Sequence, residues 1–161
     1  MERLHALEER DVRNPHLVQD GDRAIELSEV YFRSADYLAK PSRAFGYFAR
    51  PVKPLDDRPL PSILLIHGGG GTASPRWARY WAQRGYAALA PDLYGQGPNL
   101  EKLPDGGPDW SNDFESFRLV NGLENTWIYQ AVATCIAGVS ALSRMPNVDA
   151  TKIAVTEIKV R

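Results

Sequence analysis

The sequence predicts an α/β fold: a mostly parallel sheet with an antiparallel edge pair on its N-terminal side and helices on both faces. Three features carry that expectation. Ser62-Ile63-Leu64-Leu65-Ile66 is apolar without alternation, as a strand covered on both faces reads, and such strands belong to parallel sheets flanked by helices. A glycine run, a helical stretch and a second run of the same kind, Tyr86 to Ala90, follow it in the order of a right-handed crossover. Upstream, Ile25 to Phe32 partly alternates apolar with polar, and Arg43 to Arg50 is aromatic-rich and closed by Pro51. Those two read as strands with one wet face, an antiparallel pair.

Taken in order, residues 1–24 are polar and weakly periodic, with Asn14-Pro15 and Gly21-Asp22 as turn signals, and are expected to form an N-terminal arm with at most one short helix. Residues 25–161 are expected to be the N-terminal portion of one domain. Pro51 to Pro61 is a Pro- and charge-rich connector. Ser74-Pro75 pairs an N-cap residue with proline at the first helical position, and Trp77, Tyr80 and Trp81 recur at helical spacing until Gly85 stops the helix. A long Gly, Pro, Asp and Asn-rich loop from Tyr94 to about Asn125 leads to a helix from about Thr126 to Ser143, ended by Met145-Pro146, and Lys152 to Thr156 begins one more strand.

The chain has 161 residues, 43% hydrophobic and 24% charged, enough apolar side chain for one sizeable core. A single cysteine excludes a disulfide scaffold, and a net charge of -1 gives no electrostatic case for binding nucleic acid. No apolar run approaches the roughly 20 residues of a membrane span. The charged start, Met1-Glu2-Arg3, does not read as a secretory leader. As written the chain is expected in the cytoplasm; a parent protein with a leader upstream would be secreted. No cofactor or metal site is expected.

The chemistry concentrates in His67-Gly68-Gly69-Gly70-Gly71-Thr72, directly after the buried strand. Ligands of open parallel sheets bind beyond the carboxyl ends of strands, and glycines there let backbone N–H groups approach a ligand closely. Two chemistries want such a loop. One is an oxyanion hole, with amides aimed at the oxygen of a tetrahedral intermediate; the other is a dinucleotide loop facing a pyrophosphate. Gly68-x-Gly70-x-x-Ala73 fits the relaxed dinucleotide pattern, with Asp92 at the end of the next strand as ribose ligand. Against it, Ser74-Pro75 delays the helix until after all the glycines, and two antiparallel strands ahead of the first βα turn are foreign to that fold.

His67-Gly68-Gly69-Gly70-Gly71, then Trp81-Ala82-Gln83-Arg84-Gly85-Tyr86 running into Ala90-Pro91-Asp92-Leu93-Tyr94-Gly95-Gln96-Gly97, resembles the N-terminal half of α/β-hydrolases, nearest to acetylxylan esterase and dienelactone hydrolase-like enzymes. The resemblance covers about Ala44 to Val155. It implies a serine hydrolase acting on a small-molecule ester, with an oxyanion-hole amide at Gly69 and Gly70 as its neighbour. His67, Gly68 and Gly71 complete the motif loop, and Asp92, Gly95 and Gly97 form the turn after the next strand.

In that family the strand Lys152 to Thr156 runs into Gly-x-Ser-x-Gly, whose tight elbow lifts the serine toward the oxyanion site. Here Glu157 stands for the first glycine, Lys159 for the serine and Arg161 for the last glycine. The acid and the histidine base, which follow the serine in this fold, have no counterpart in the 161 residues. The chain is therefore expected to be truncated at the elbow and inactive alone, through a frameshift or early stop, as a domain fragment, or as a non-catalytic interaction module. The divergent Glu-Ile-Lys-Val-Arg tail favours the first. Reading the nucleotide sequence past residue 161 tests it.

The other candidates have plainer readings. His67 lies on the wrong strand for a base and is expected to fix the loop, Asp92 to order its turn, and Cys135 to sit inert on an apolar helix. Ser62, Ser74, Ser111, Ser116 and Ser140 lack an elbow, and Lys159 reads as a solvated end. Trp110, Phe114 and Phe117 are candidates to line a cleft in the long loop. With the sheet uncovered after the last strand, several of Ile63, Leu65, Val155 and Ile158 are expected to face water, at about 1.5 to 3 kcal/mol each, so the chain is expected to self-associate.

Overall fold

The computed structural model describes residues 10–109, 118–119 and 121–158; Trp110, Ser111, Phe114, Ser116, Phe117, Lys159 and Arg161, singled out above, lie outside them. Six strands form one sheet in the order β1-β2-β3-β5-β4-β6. They are β1 (Asp11–Asp20), β2 (Arg23–Arg33), β3 (Arg43–Pro51), β4 (Leu60–His67), β5 (Ala87–Pro91) and β6 (Val148–Ile158). The run β5-β4-β6 is parallel, while β1-β2, β2-β3 and β3-β5 are antiparallel.

The antiparallel part is one strand wider than the sequence suggests, because half of the expected N-terminal arm is β1, paired with β2 from Asp11 to Asp20. Most of its side chains are exposed, so neither face carries an apolar stripe to announce it. Of its turn signals, Asn14-Pro15 is a bulge, where the register shifts between Arg13 and His16 and Asn14 adopts φ 50, and Gly21-Asp22 is the turn into β2.

Both faces are covered. On one, α1 (Pro75–Ala82) sets Ala78 and Ala82 on Ile63, Leu65, Ala88 and Ala90. On the other, α2 (Trp127–Ser143) sets Ala141 and Leu142 on Leu64 and Leu89. The alternation Ile63, Leu64, Leu65 thus sends successive side chains to opposite helices, which is why β4 shows no polar phase. Gly138 permits the close seating of α2, since a Cβ there would stand 2.8 Å from Leu64 Cδ1. Both helices start on side-chain caps: Ser74 Oγ accepts from Trp77 N–H at 3.1 Å, and Thr126 Oγ1 from Tyr129 N–H at 3.3 Å.

The expected exposure of the sheet is corrected. Ile63 and Leu65 are buried under α1, and of the three whose side chains are described only Val155 faces water, at 55% exposure on the edge strand β6. The apolar exposure lies instead on α2, where Ile128, Val132 and Ile136 recur four residues apart on the outer face. Among the described residues, no helix is long and apolar enough to cross a membrane.

Candidate functional site

The carboxyl ends of the adjacent parallel strands β4 and β5 bring two loops together, residues 68–73 and 92–97. His67, the last residue of β4, is the clasp between them. Its Nε2 accepts from the Leu93 N–H at 3.1 Å, so the ring proton is on Nδ1, which donates to the Gly68 carbonyl at 3.0 Å. Both nitrogens are used in holding loops, the structural role the sequence suggests.

Asp92 is the second fixed point, with 2% of its surface exposed. Its backbone N–H donates to Phe45 O at 2.7 Å, and its Oδ1 accepts from the N–H groups of Tyr94 at 2.9 Å and Gln96 at 2.8 Å. Burial pushes the carboxyl above its ordinary range, offset in part by those two N–H donors. A carboxylate so buried is not open to a ribose, and the dinucleotide reading loses the acid it needs. Gly95 is required by backbone: its φ is +65, and a Cβ there would collide with the carbonyl of Gly107.

The glycine loop ties two of its amides within the chain. Gly71 N–H closes back on Gly68 O at 3.0 Å, and Gly70, at φ +77, donates its N–H to Tyr94 Oη at 2.6 Å. Tyr94 Oη in turn donates to Gly68 O at 3.3 Å. Burial raises the Tyr94 phenol, while the Gly70 and Gly71 amides directed at its oxygen act the other way. The Gly69 N–H makes no hydrogen bond among the described residues. Of the two amides assigned from sequence, Gly69 is therefore open to a ligand and Gly70 is held by a phenol.

Tyr94 is the site residue that sequence reasoning passed over, and its position two residues beyond Asp92 on a bonded turn was the available signal. The same turn is tied from outside by Trp127, whose Nε1–H donates to Leu93 O at 2.9 Å, and by Lys102, whose Nζ donates to Tyr94 O at 3.1 Å and to Gly107 O. Beyond Lys102 a cleft of about 400 Å³ opens between residues 37–42 and 102–106. Gly97 lies on the far side of the turn, its N–H bonded to Glu101 O at 2.8 Å. Cys135 is half-buried on α2, and burial lifts its thiol to about 11, so it stays protonated and unreactive near neutral pH.

A sheet that changes from antiparallel to parallel strands, with a His-Gly-Gly loop after one parallel strand and a buried Asp turn after its neighbour, defines the α/β-hydrolase class. Within it, the chain belongs to the dienelactone hydrolase family, whose model matches residues 45–157. The fold is similar to that of an acetyl xylan esterase from Paenibacillus sp. R4, with TM-score 0.63 and 27% identity over 93% of this chain and 46% of that one. It is also similar to acetyl xylan esterase 1 from Thermoanaerobacterium sp. JW/SL YS485, with TM-score 0.67 and 16% identity over 93% of this chain and 44% of that one. A dienelactone hydrolase-like promiscuous phosphotriesterase from metagenomic libraries gives TM-score 0.50 and 23% identity over 81% of this chain and 49% of that one. The chain thus spans less than half the length of each. No match is found among curated proteins.

Proposed function

We propose that this chain is the oxyanion-binding half of a carboxylic ester hydrolase, and that the nucleophile, acid and histidine base are supplied by polypeptide outside the 161 residues. The observation that carries the reading is the exposed, unbonded Gly69 N–H among the described residues at the carboxyl end of β4, in a family whose members are hydrolases. In the reaction, a serine oxygen adds to the ester carbonyl, the carbonyl oxygen takes the negative charge, and Gly69 N–H donates to it; the alkoxide leaves with a proton and water then releases the acid. Gly70 and Tyr94 hold the loop in shape. Acting alone, the chain stabilises a charge that nothing in it creates.

With p-nitrophenyl acetate, the purified 161-residue chain is expected to give no turnover above background. Turnover abolished by a fluorophosphonate would reveal a serine nucleophile among these residues and refute the division of labour.

The same reading extends to association. Helix α2 carries no charged residue from Trp127 to Ser143, while Ile128, Val132 and Ile136 are exposed at 41%, 53% and 65%. Beside it, β6 is an open sheet edge. Pairing two identical β6 edges antiparallel requires a two-fold axis perpendicular to the sheet, which keeps both α2 helices on the same face. The uncharged stripe then meets its own copy, without like charges to repel it, and we take a second copy of the chain as its partner.

A further inference from the structure

We propose that a single buried water bridges Asp92 Oδ2 and Gln130 Oε1, locking the turn after β5 to helix α2. Both oxygens are buried and have no hydrogen-bond partner. Both residues line one small cavity of about 10 Å³, together with Ser42, Gly107 and Thr134, which is room for about one water molecule.

The side-chain donors nearest these oxygens are engaged elsewhere, Arg43 in the cavity wall pairing its Nε and one terminal nitrogen with Asp105. His67 Nε2 lies 3.9 Å from Asp92 Oδ2, but it already accepts from Leu93 N–H and has no proton to give. The Gln130 amide cannot be turned round to relieve its oxygen, because Nε2 donates to the carbonyls of Asp36 at 2.8 Å and Glu124 at 2.7 Å. The cavity hydroxyls are engaged elsewhere: Ser42 Oγ donates to Ala35 O at 2.6 Å, and Thr134 Oγ1 pairs with Ser34 Oγ at 3.0 Å. Two unpartnered acceptors on residues that line one cavity call for a guest with two protons to donate. Water meets that requirement. A metal cation does not suit, since the Lys102 ammonium already sits on the carbonyl of Gly107 in the cavity wall.

The bridge gives α2 a grip on the site. Gln130 holds the stretch before β3 through Asp36 and the start of α2 through Glu124, and the water adds Asp92, whose other oxygen fixes the amide of Tyr94.

Gly107→Ala tests the idea by the sign of its effect. A Cβ at Gly107 meets only Gln130 Cβ and Oε1, both at 3.8 Å, so the methyl enters without collision, and φ there is not in the left-handed region. In a dry cavity the methyl fills a void and stiffens the unfolded chain less favourably for unfolding, so Tm rises. If it evicts a water that serves two buried acceptors, Tm falls by about 2 to 6 °C, with an unchanged far-UV spectrum. A rise or no change overturns the proposal. A crystal structure of the unsubstituted chain at about 1.5 Å provides the independent arm. One density peak within hydrogen-bond distance of both oxygens is expected; an empty cavity, a direct Asp92–Gln130 contact, or an anomalous peak after rubidium soaking overturns it.

Discussion

Two margins of this molecule contrast. At the carboxyl ends of β4 and β5, nearly every polar group has a partner from within the chain: His67 uses both ring nitrogens, Asp92 Oδ1 takes two amides, and Tyr94 receives Gly70. At the β6 and α2 margin the outer face of α2 carries no charge, and Ile128, Val132, Ile136 and Val155 are bare. Local hydrogen bonding can finish a loop with residues a few positions away, because its donors and acceptors are short-range and directional. Covering an apolar face takes area, which only another body of polypeptide provides. The site corner is therefore self-sufficient in shape, and the far margin leaves apolar area uncovered.

The sharpest way to break that contrast is at Asp92. Asp92→Ala leaves two backbone donors without their acceptor and is expected to cost about 2 to 4 kcal/mol in urea unfolding. Asp92→Asn keeps Oδ1 and is expected to cost far less. It also changes the pH profile: burial raises the native carboxyl above its ordinary range, so the native state holds that proton more tightly. The stabilisation is then full at pH below the unfolded value near 3.8 and is lost as pH rises through the native one. The Asn variant is expected to lack that decline, which unfolding midpoints between pH 3 and 7 measure.

Next in size is Gly138→Ala, which drives a methyl against Leu64 Cδ1 under α2 and is expected to cost about 1 to 3 kcal/mol by thermal unfolding. At the open margin the pattern reverses. Val132→Glu and Ile136→Lys, both exposed, are expected to change stability by no more than about 0.5 kcal/mol. They are nevertheless expected to shift the chain from dimer to monomer in light scattering across a concentration series. An unsubstituted chain that stays monomeric at about 100 μM would remove the dimer.

Much of this architecture is legible in the amino-acid order. The unbroken apolar run at Ser62 to Ile66 announces a strand covered twice, Ser74-Pro75 marks the start of α1 to the residue, and four glycines after β4 point to the site. What escaped reading has physical causes. Strand β1 is wet on both faces, and pairing with β2 sustains it rather than any periodicity of its own. Ile63 and Leu65 were expected in water because the cover given by Ala78 and Ala82 is a tertiary contact between small side chains. Tyr94 and Gln130 matter through single atoms, Oη and Nε2, whose partners are set by the folded chain.

The hold of Tyr94 on the glycine loop has a consequence for timing. Without an internal guest, a flexible run of glycines would drift toward its own carbonyls and would have to be re-formed each time an anion arrived. With the phenol seated beside Gly70, that work is done during folding, and on the function proposed above the neighbouring Gly69 amide meets its anion in a loop already shaped.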